Sequence, residues 1–272
     1  MTARSQPVPN KPVLNKPVPN KLDTLPWLVL VLTPIGILGS SLLPLQDTGT
    51  ISNTLFGGVL LTPANYVFTV WALIYLGLLT LAVAQILPVN RDNPRYAAAR
   101  VPLLVNAWFN FAWLVAWGSL LTPLSLVFIV GQALSALWIF KSLQADRTIP
   151  APRLEGFIQV ASAAYVAWLT LATVVNVSCV LVFYRWDGWG LSDATWTVIM
   201  MVIAMVLGLL EVRVWHNVAL GGVFTWAFAG IALRAGQPLE VVVVAALIAV
   251  VFLVALVSAF RRPVVALRGE RS

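Results

Sequence analysis

The sequence predicts an all-α protein, a polytopic membrane helix bundle with about eight transmembrane helices. Of its 272 residues, 60% are hydrophobic and only 10% are charged, whereas soluble domains carry about 25% charged residues. The apolar residues form long runs, and the lysines and arginines lie between the runs. A bilayer admits only helices and closed barrels. A run such as residues 67–87 lacks the alternation of a barrel strand, so helices are expected.

Residues 1–25 are expected to form a disordered tail. Three pentapeptides begin at Pro7, Pro12 and Pro17, and each ends in Asn-Lys. Proline at this density disfavours helix and sheet and favours extended, solvated chain. A peptide that docks on a partner is the alternative interpretation. The tail lacks the pattern expected of a signal peptide.

Eight apolar segments follow the tail, and each has close to the ~20 residues that cross a ~30 Å hydrocarbon core. The third and fourth segments are almost continuous. Gly118 and Pro123 indicate a tight hairpin between them. The expected spans are 26–46, 63–87, 101–120, 124–143, 157–183, 194–211, 215–233 and 240–260.

The positive charges predict that both termini are cytoplasmic. With the N-terminus inside, fifteen of the 17 lysines and arginines fall on inside segments, and only Arg185 and Arg234 fall outside. Such an excess is typical of cytoplasmic loops. The short link at residues 211–216 is the weakest point, because a single bent helix there would move the C-terminus outside. We expect a bacterial inner membrane, with a photosynthetic membrane as the alternative.

The same residues exclude several classes of function. No charged side chain lies at the middle of a span, which argues against proton pumps, voltage sensors and carriers built on buried carboxylates. His216 and Cys179 are single representatives of their types, so no catalytic or metal-binding constellation is expected. His216 is interpreted as an interfacial residue, with an axial haem ligand as the alternative. No basic face with stacking aromatics points to nucleic acid; the expected partner is the lipid bilayer.

Three spans carry aromatic residues and asparagines at helical spacing. Each set lies on one face of its helix, and packing of the bundle core is the simplest interpretation. Together the three faces would form an aromatic pocket with a few hydrogen-bonding groups, suited to a large, flat, mostly apolar ligand. The sets are Trp71 and Tyr75; Asn106, Asn110, Trp113 and Trp117; and Tyr165, Trp168, Ala172 and Asn176.

These stretches resemble the TspO/MBR family, the tryptophan-rich sensory or translocator proteins. Residues 63–75, PANYVFTVWALIY, are similar to that family's second helix, with its proline start and V-W-x-x-x-Y. Residues 110–113, NFAW, resemble its L-N-x-x-W stretch. Residues 165–176, YVAWLTLATVVN, are similar to its signature Y-L-A-W-x-x-F-A-T-x-L-N. The order and separation of the motifs fit that family's five-helix bundle.

The chain also departs from the family pattern. The family's PPxW becomes Thr62-Pro63-Ala64-Asn65, which leaves Tyr66 as the substitute for the lost tryptophan. Three more apolar segments follow residue 190. The expected organisation is therefore the tail at 1–25, a TspO-like bundle at 26–185, three additional helices at 186–262 and a basic tail at 263–272.

The resemblance implies a sensor or transporter that binds a tetrapyrrole, with haem or protoporphyrin as the ligand, under a cover formed by the loop at residues 47–62. A permease that uses all eight helices and a porphyrin-modifying enzyme are the alternatives. Small residues at Gly221, Thr225 and Ala229 would let the seventh helix dock on the bundle or form a homodimer. The expected ligand-binding residues are Tyr66, Trp71, Tyr75, Asn106, Asn110, Trp113, Trp138, Tyr165, Trp168, Ala172 and Asn176.

Overall fold

The computed structural model describes residues 24–45, 51, 59–144 and 154–261. These residues form eight α-helices and no strand, which confirms the all-α prediction. Nearly all of the N-terminal tail and the whole of the 263–272 tail lie outside the described residues. The helices are α1 (Leu25–Leu38), α2 (Val70–Ala84), α3 (Pro94–Gly118), α4 (Thr122–Leu143), α5 (Glu155–Phe183), α6 (Asp193–Trp215), α7 (Val218–Ala232) and α8 (Leu239–Arg261).

Seven helical stretches of the described chain are long and apolar enough to cross a membrane. The exception is α7, which has 15 residues. At 1.5 Å per residue it is about 22 Å long, shorter than a ~30 Å hydrocarbon core. The expected eight spans are thus present as helices, and one of them is short.

The helices alternate in direction, so that α1 begins and α8 ends at the same end of the bundle. Gln85, just after α2, donates a hydrogen bond to the carbonyl of Pro26 in the first turn of α1 at 2.8 Å. At this end the Lys141 ammonium of α4 also lies 5.9 Å above the ring of Trp215, the last residue of α6. The start of α7 and the last turns of α8 meet here as well. The described chain therefore passes between the two ends of the bundle an even number of times.

Helix α5 is the centre of the bundle and contacts α2, α4, α6 and α7. Its buried alanines allow this close packing. Gly77 of α2 faces Ala161 so closely that a Cβ atom at position 77 would lie 2.1 Å from the Ala161 Cβ atom. A single hydrophobic core runs from Val29 of α1 to Phe252 of α8. The last three helices therefore pack on the first five.

Helix α3 begins at Pro94, seven residues before the expected boundary of 101. The two arginines in its first turns are buried because other helices supply partners. Arg95 forms an ion pair with Glu155 of α5 at 2.7 Å, and the Arg100 guanidinium donates to the Gln85 side chain at 2.8 Å. A paired cation can enter a helix bundle, and an unpaired one cannot.

The two predicted breaks between neighbouring spans are confirmed. Helix α3 ends at Gly118, and Pro123 lies in the first turn of α4. Helices α6 and α7 are separate, because His216 adopts a left-handed conformation with φ of 49° and ends α6. The alternative of one bent helix across residues 211–216 is therefore wrong.

Candidate functional site

An aromatic cavity lies between α2, α3, α4 and α5, at the end of the bundle away from the described chain termini. Its volume is about 40 Å³, well below the 300–1,000 Å³ typical of ligand pockets, so a large ligand would fit only after the wall moves. The wall is apolar apart from the indole nitrogens and one asparagine. It is formed by Pro63, Phe68, Trp71, Trp113, Trp117, Ile129, Trp168, Leu171, Ala172, Val175 and Asn176.

Trp71 is the central ring of this wall. Its ring centroid lies 6.0 Å from that of Trp113, with 30° between the planes. It also lies 6.0 Å from Trp168, nearly edge-on at 82°. A flat ligand inserted between two stacked rings needs roughly 7 Å between them. Trp71 and Trp113 leave no such slot, so a ligand must lie against the ring surfaces that border the cavity.

Two tryptophans of the wall carry buried donors without an acceptor. The side chains of Trp113 and Trp168 are only 5% and 3% exposed. Neither indole Nε1 has a hydrogen-bond partner among the described residues. A buried donor left unpaired costs about 1–3 kcal/mol. Both nitrogens have almost no accessible surface, so a ligand could recover this free energy only if the wall moved to let acceptor atoms reach them.

A polar network lies beside the cavity, deeper in the bundle. The Gln132 Nε2 atom donates to Asn110 Oδ1 at 2.6 Å and to the Tyr165 hydroxyl at 2.7 Å. The Tyr165 hydroxyl donates to Asn106 Oδ1 at 3.1 Å. The Tyr75 hydroxyl donates to Asn110 Oδ1 at 3.3 Å. Four of the residues expected to bind ligand are therefore hydrogen-bonded in one network that includes Gln132. They are Tyr75, Asn106, Asn110 and Tyr165.

This network joins all of the first five helices. Asn110 Nδ2 donates to the Gly36 carbonyl of α1 at 2.8 Å. Asn106 Nδ2 donates to the Gln132 carbonyl at 3.1 Å and to Ser135 Oγ of α4 at 2.9 Å. With Tyr75 on α2 and Tyr165 on α5, every helix from α1 to α5 contributes a group. Such a network fixes the relative positions of the helices that form the cavity.

The expected site residues fall into three groups. Five line the cavity and four belong to the network. Tyr66 is 43% exposed and packs edge-on against Trp226 of α7 at 5.3 Å. Trp138 is 48% exposed on α4 and is not part of the cavity wall. The five that line the cavity are Trp71, Trp113, Trp168, Ala172 and Asn176.

Several residues of the site are missing from the sequence expectation. Phe68 lies three residues before Trp71, so helical spacing could have placed it on the same face. Gln132 lies in the middle of an apolar span, where a polar side chain usually faces the bundle interior. Residues 47–50 and 52–58 of the expected cover lie outside the described residues, whereas Pro63, just after it, borders the cavity.

Comparison with known proteins identifies the family. A family model described as TSPO-like protein matches residues 24–259. The chain belongs to the TSPO-like protein family. Searches of curated proteins and of solved structures return no match. The match begins at α1 and extends into α8, so it includes α6, α7 and nearly all of α8.

Proposed function

We propose that this TSPO-like membrane protein binds a flat, mostly apolar ligand of the tetrapyrrole type in the aromatic cavity, whose wall opens to admit it, and acts as a sensor or transporter for it. The observation that supports the proposal is the tryptophan-lined wall with two buried, unpaired indole N–H groups. Aromatic rings offer flat surfaces for a macrocycle. The indole donors would bind acceptor atoms at its edge.

The wall suits a metal-free porphyrin better than coordinated haem. No histidine, cysteine or methionine is among the described residues that line the cavity, and these side chains are the usual axial ligands of haem iron. His216 lies at the opposite end of the bundle, between α6 and α7. The described wall residues also include no arginine or lysine, so the carboxylates of a porphyrin would find no cationic partner inside the cavity.

Protoporphyrin titration tests the proposal. Purified protein in detergent is titrated with protoporphyrin IX, and binding is followed through the absorbance and fluorescence of the porphyrin itself, since 12 tryptophans make protein quenching hard to assign. We expect saturable binding. The double variant Trp113→Phe/Trp168→Phe keeps two aromatic rings but removes both donors. Each lost hydrogen bond contributes about 0.5–1.5 kcal/mol, so the affinity should fall roughly tenfold or more.

Two matched controls come from the same helices of the bundle. Trp108 on α3 and Trp138 on α4 are 58% and 48% exposed and lie outside the cavity wall. Trp108→Phe and Trp138→Phe should leave the affinity unchanged. Iron protoporphyrin should bind without the spectral change of axial ligation. Binding that does not saturate, or an equal loss in the controls, would contradict the proposal.

We also propose that the chain lies in the bacterial inner membrane with both termini in the cytoplasm. The cavity end carries Arg185 and Arg234, and the opposite end carries the larger share of the cations, in keeping with the positive-inside rule. A C-terminal fusion to green fluorescent protein should therefore fluoresce, and the matching alkaline phosphatase fusion should be inactive. The reverse result would place the cavity end in the cytoplasm. The cations at the opposite end include Arg95, Arg100, Lys141 and Arg213.

A further inference from the structure

The segment that leads into α2, residues 59–69, borders the aromatic cavity and is called the cover segment here. Pro63 and Phe68 form part of the cavity wall, and the ring of Phe68 packs edge-on against Trp168 at 5.7 Å. The other side of the cover segment faces the end of α7 and the loop that follows it. The segment is therefore sandwiched between the cavity and the short helix.

Two side chains that follow α7 bind the backbone of the cover segment. Arg234 Nη1 donates to the carbonyls of Val59 at 2.9 Å and Thr62 at 3.1 Å. Gln237 Nε2 donates to the carbonyl of Leu60 at 2.7 Å. Carbonyl groups in irregular backbone near lipid must find donors within the protein. Burial lowers the pKa of the Arg234 guanidinium, but arginine keeps its charge at neutral pH.

Helix α7 itself forms hydrogen bonds to the backbone of the cover segment. The Gly230 carbonyl accepts a hydrogen bond from the Ala64 N–H at 3.1 Å. Trp226 Nε1 donates to the Val67 carbonyl at 3.2 Å. A Cβ atom at position 230 would lie 2.0 Å from Val67 Cγ2. Only glycine permits this approach, so the position of the cover segment depends on residue 230.

A second hollow borders the start of the cover segment. Its volume is about 170 Å³. Val59 and Leu60 of the cover segment border it, together with residues of α5 and α6 that include Leu181 and Trp196. Pro63 and Phe68 border the aromatic cavity instead. The cover segment thus borders two spaces.

We infer that Gly230, Arg234 and Gln237 are positioning residues that hold the cover segment closed over the aromatic cavity, so that α7 controls access to it. The identity of the ligand rests on the proposed function, but the closure does not. It predicts that loosening these contacts opens the cavity to small molecules while the bundle stays folded.

Thiol labelling of the cavity wall tests the closure without any ligand. Cys179 is the only cysteine of the chain and is buried, so Cys179→Ala provides a background in which Ala172→Cys reports on the cavity. The labelling rate with N-ethylmaleimide is compared between the reporter alone and the reporter combined with Gly230→Ala. The matched control is Gly222→Ala on the same helix, where an added Cβ atom meets nothing within 4 Å.

We expect faster labelling with Gly230→Ala and an unchanged rate with Gly222→Ala. Gln237→Leu removes one hydrogen bond to the cover segment, and Arg234→Met removes two together with the positive charge; each bond lost should raise the rate about fivefold. If Gly230→Ala does not fold, the labelling rate of Gln237→Leu tests the closure instead. Equal rates in Gln237→Leu, Arg234→Met and the Gly222→Ala control would overturn the inference.

A second readout separates the closure from the proposed ligand. Protoporphyrin IX should protect Ala172→Cys from labelling if it occupies the aromatic cavity. Absence of protection, with the rate difference between Gly230→Ala and Gly222→Ala intact, would reject the porphyrin and keep the closure. Protection together with equal labelling rates in all variants would keep the porphyrin and reject the closure.

Discussion

The Gln132 Nε2 atom lies 2.6 Å from Asn110 Oδ1 and makes the shortest hydrogen bond of the network that joins α1 to α5. The Nδ2 atom of the same amide donates to the Gly36 carbonyl at 2.8 Å. The side-chain groups of Asn110 are therefore occupied within the protein. Asn110 therefore belongs to the residues that stabilise the bundle and not to those that border the cavity.

Replacement of Gln132 by leucine should lower the free energy of unfolding by about 1–3 kcal/mol, because it removes the donor to both Asn110 Oδ1 and the Tyr165 hydroxyl. Thermal unfolding in detergent measures the change. Ser142→Ala is the control on the same helix, since among the described residues that hydroxyl binds the Trp138 carbonyl one turn earlier and no other group. Equal losses in both variants would show that the network contributes no special stability.

Tyr75→Phe should have little effect on either stability or porphyrin affinity. Its hydroxyl makes one long hydrogen bond of 3.3 Å, and Asn110 Oδ1 keeps the donor from Gln132. We expect a loss of less than about 1 kcal/mol in unfolding free energy. Thermal unfolding and porphyrin titration of the same preparation check both quantities. A tenfold loss of affinity would place the Tyr75 hydroxyl in contact with the ligand after all.

The sequence predicts the helices well because each apolar run must satisfy its own backbone in lipid. It also predicts which residues of α2, α3 and α5 face the interior, since helical spacing determines a common face. It does not reveal whether a residue on that face borders the cavity or lies in the polar network further along the helix. Trp113 borders the cavity, whereas Asn106, two turns earlier, lies in the polar network. The difference depends on Gln132, which belongs to another helix.

The start of α3 and the role of α7 are not predictable from local patterns either. In the sequence, Arg95 indicates a position outside a span. Its burial within α3 depends on the ion pair with Glu155, sixty residues later. The importance of Gly230 depends on its contact with Val67, which is more than 150 residues away in the chain. Pairings at this separation are set by packing, and periodicity carries no information about them.

Glu155→Gln should destabilise the protein by about 3–5 kcal/mol, because it leaves the buried charge of Arg95 without its carboxylate. The two side chains are only 3% and 1% exposed. The double variant Arg95→Leu/Glu155→Leu should lose less, since it removes both charges. Unfolding of the two variants in the same detergent compares them. A larger loss in the double variant would mean that the pair itself is a net source of stability.

Gly77→Ala should move α2 away from α5 and distort the cavity wall, because the new Cβ atom would lie 2.1 Å from the Ala161 Cβ atom. Overpacking of this kind costs about 1–3 kcal/mol. It should also reduce porphyrin affinity, since Trp71 on α2 and Trp168 on α5 form facing parts of one wall. Thermal unfolding and porphyrin titration measure the two effects.

The compensating variant Gly77→Ala/Ala161→Gly moves the methyl group from one helix to the other and keeps the total volume at the contact. It should recover most of the lost stability and affinity, because the two positions meet directly and their effects are coupled. Ala161→Gly alone leaves a gap and should be mildly destabilising. If the double variant instead loses the sum of the two single effects, the positions do not touch, and the close packing of α2 on α5 would be refuted.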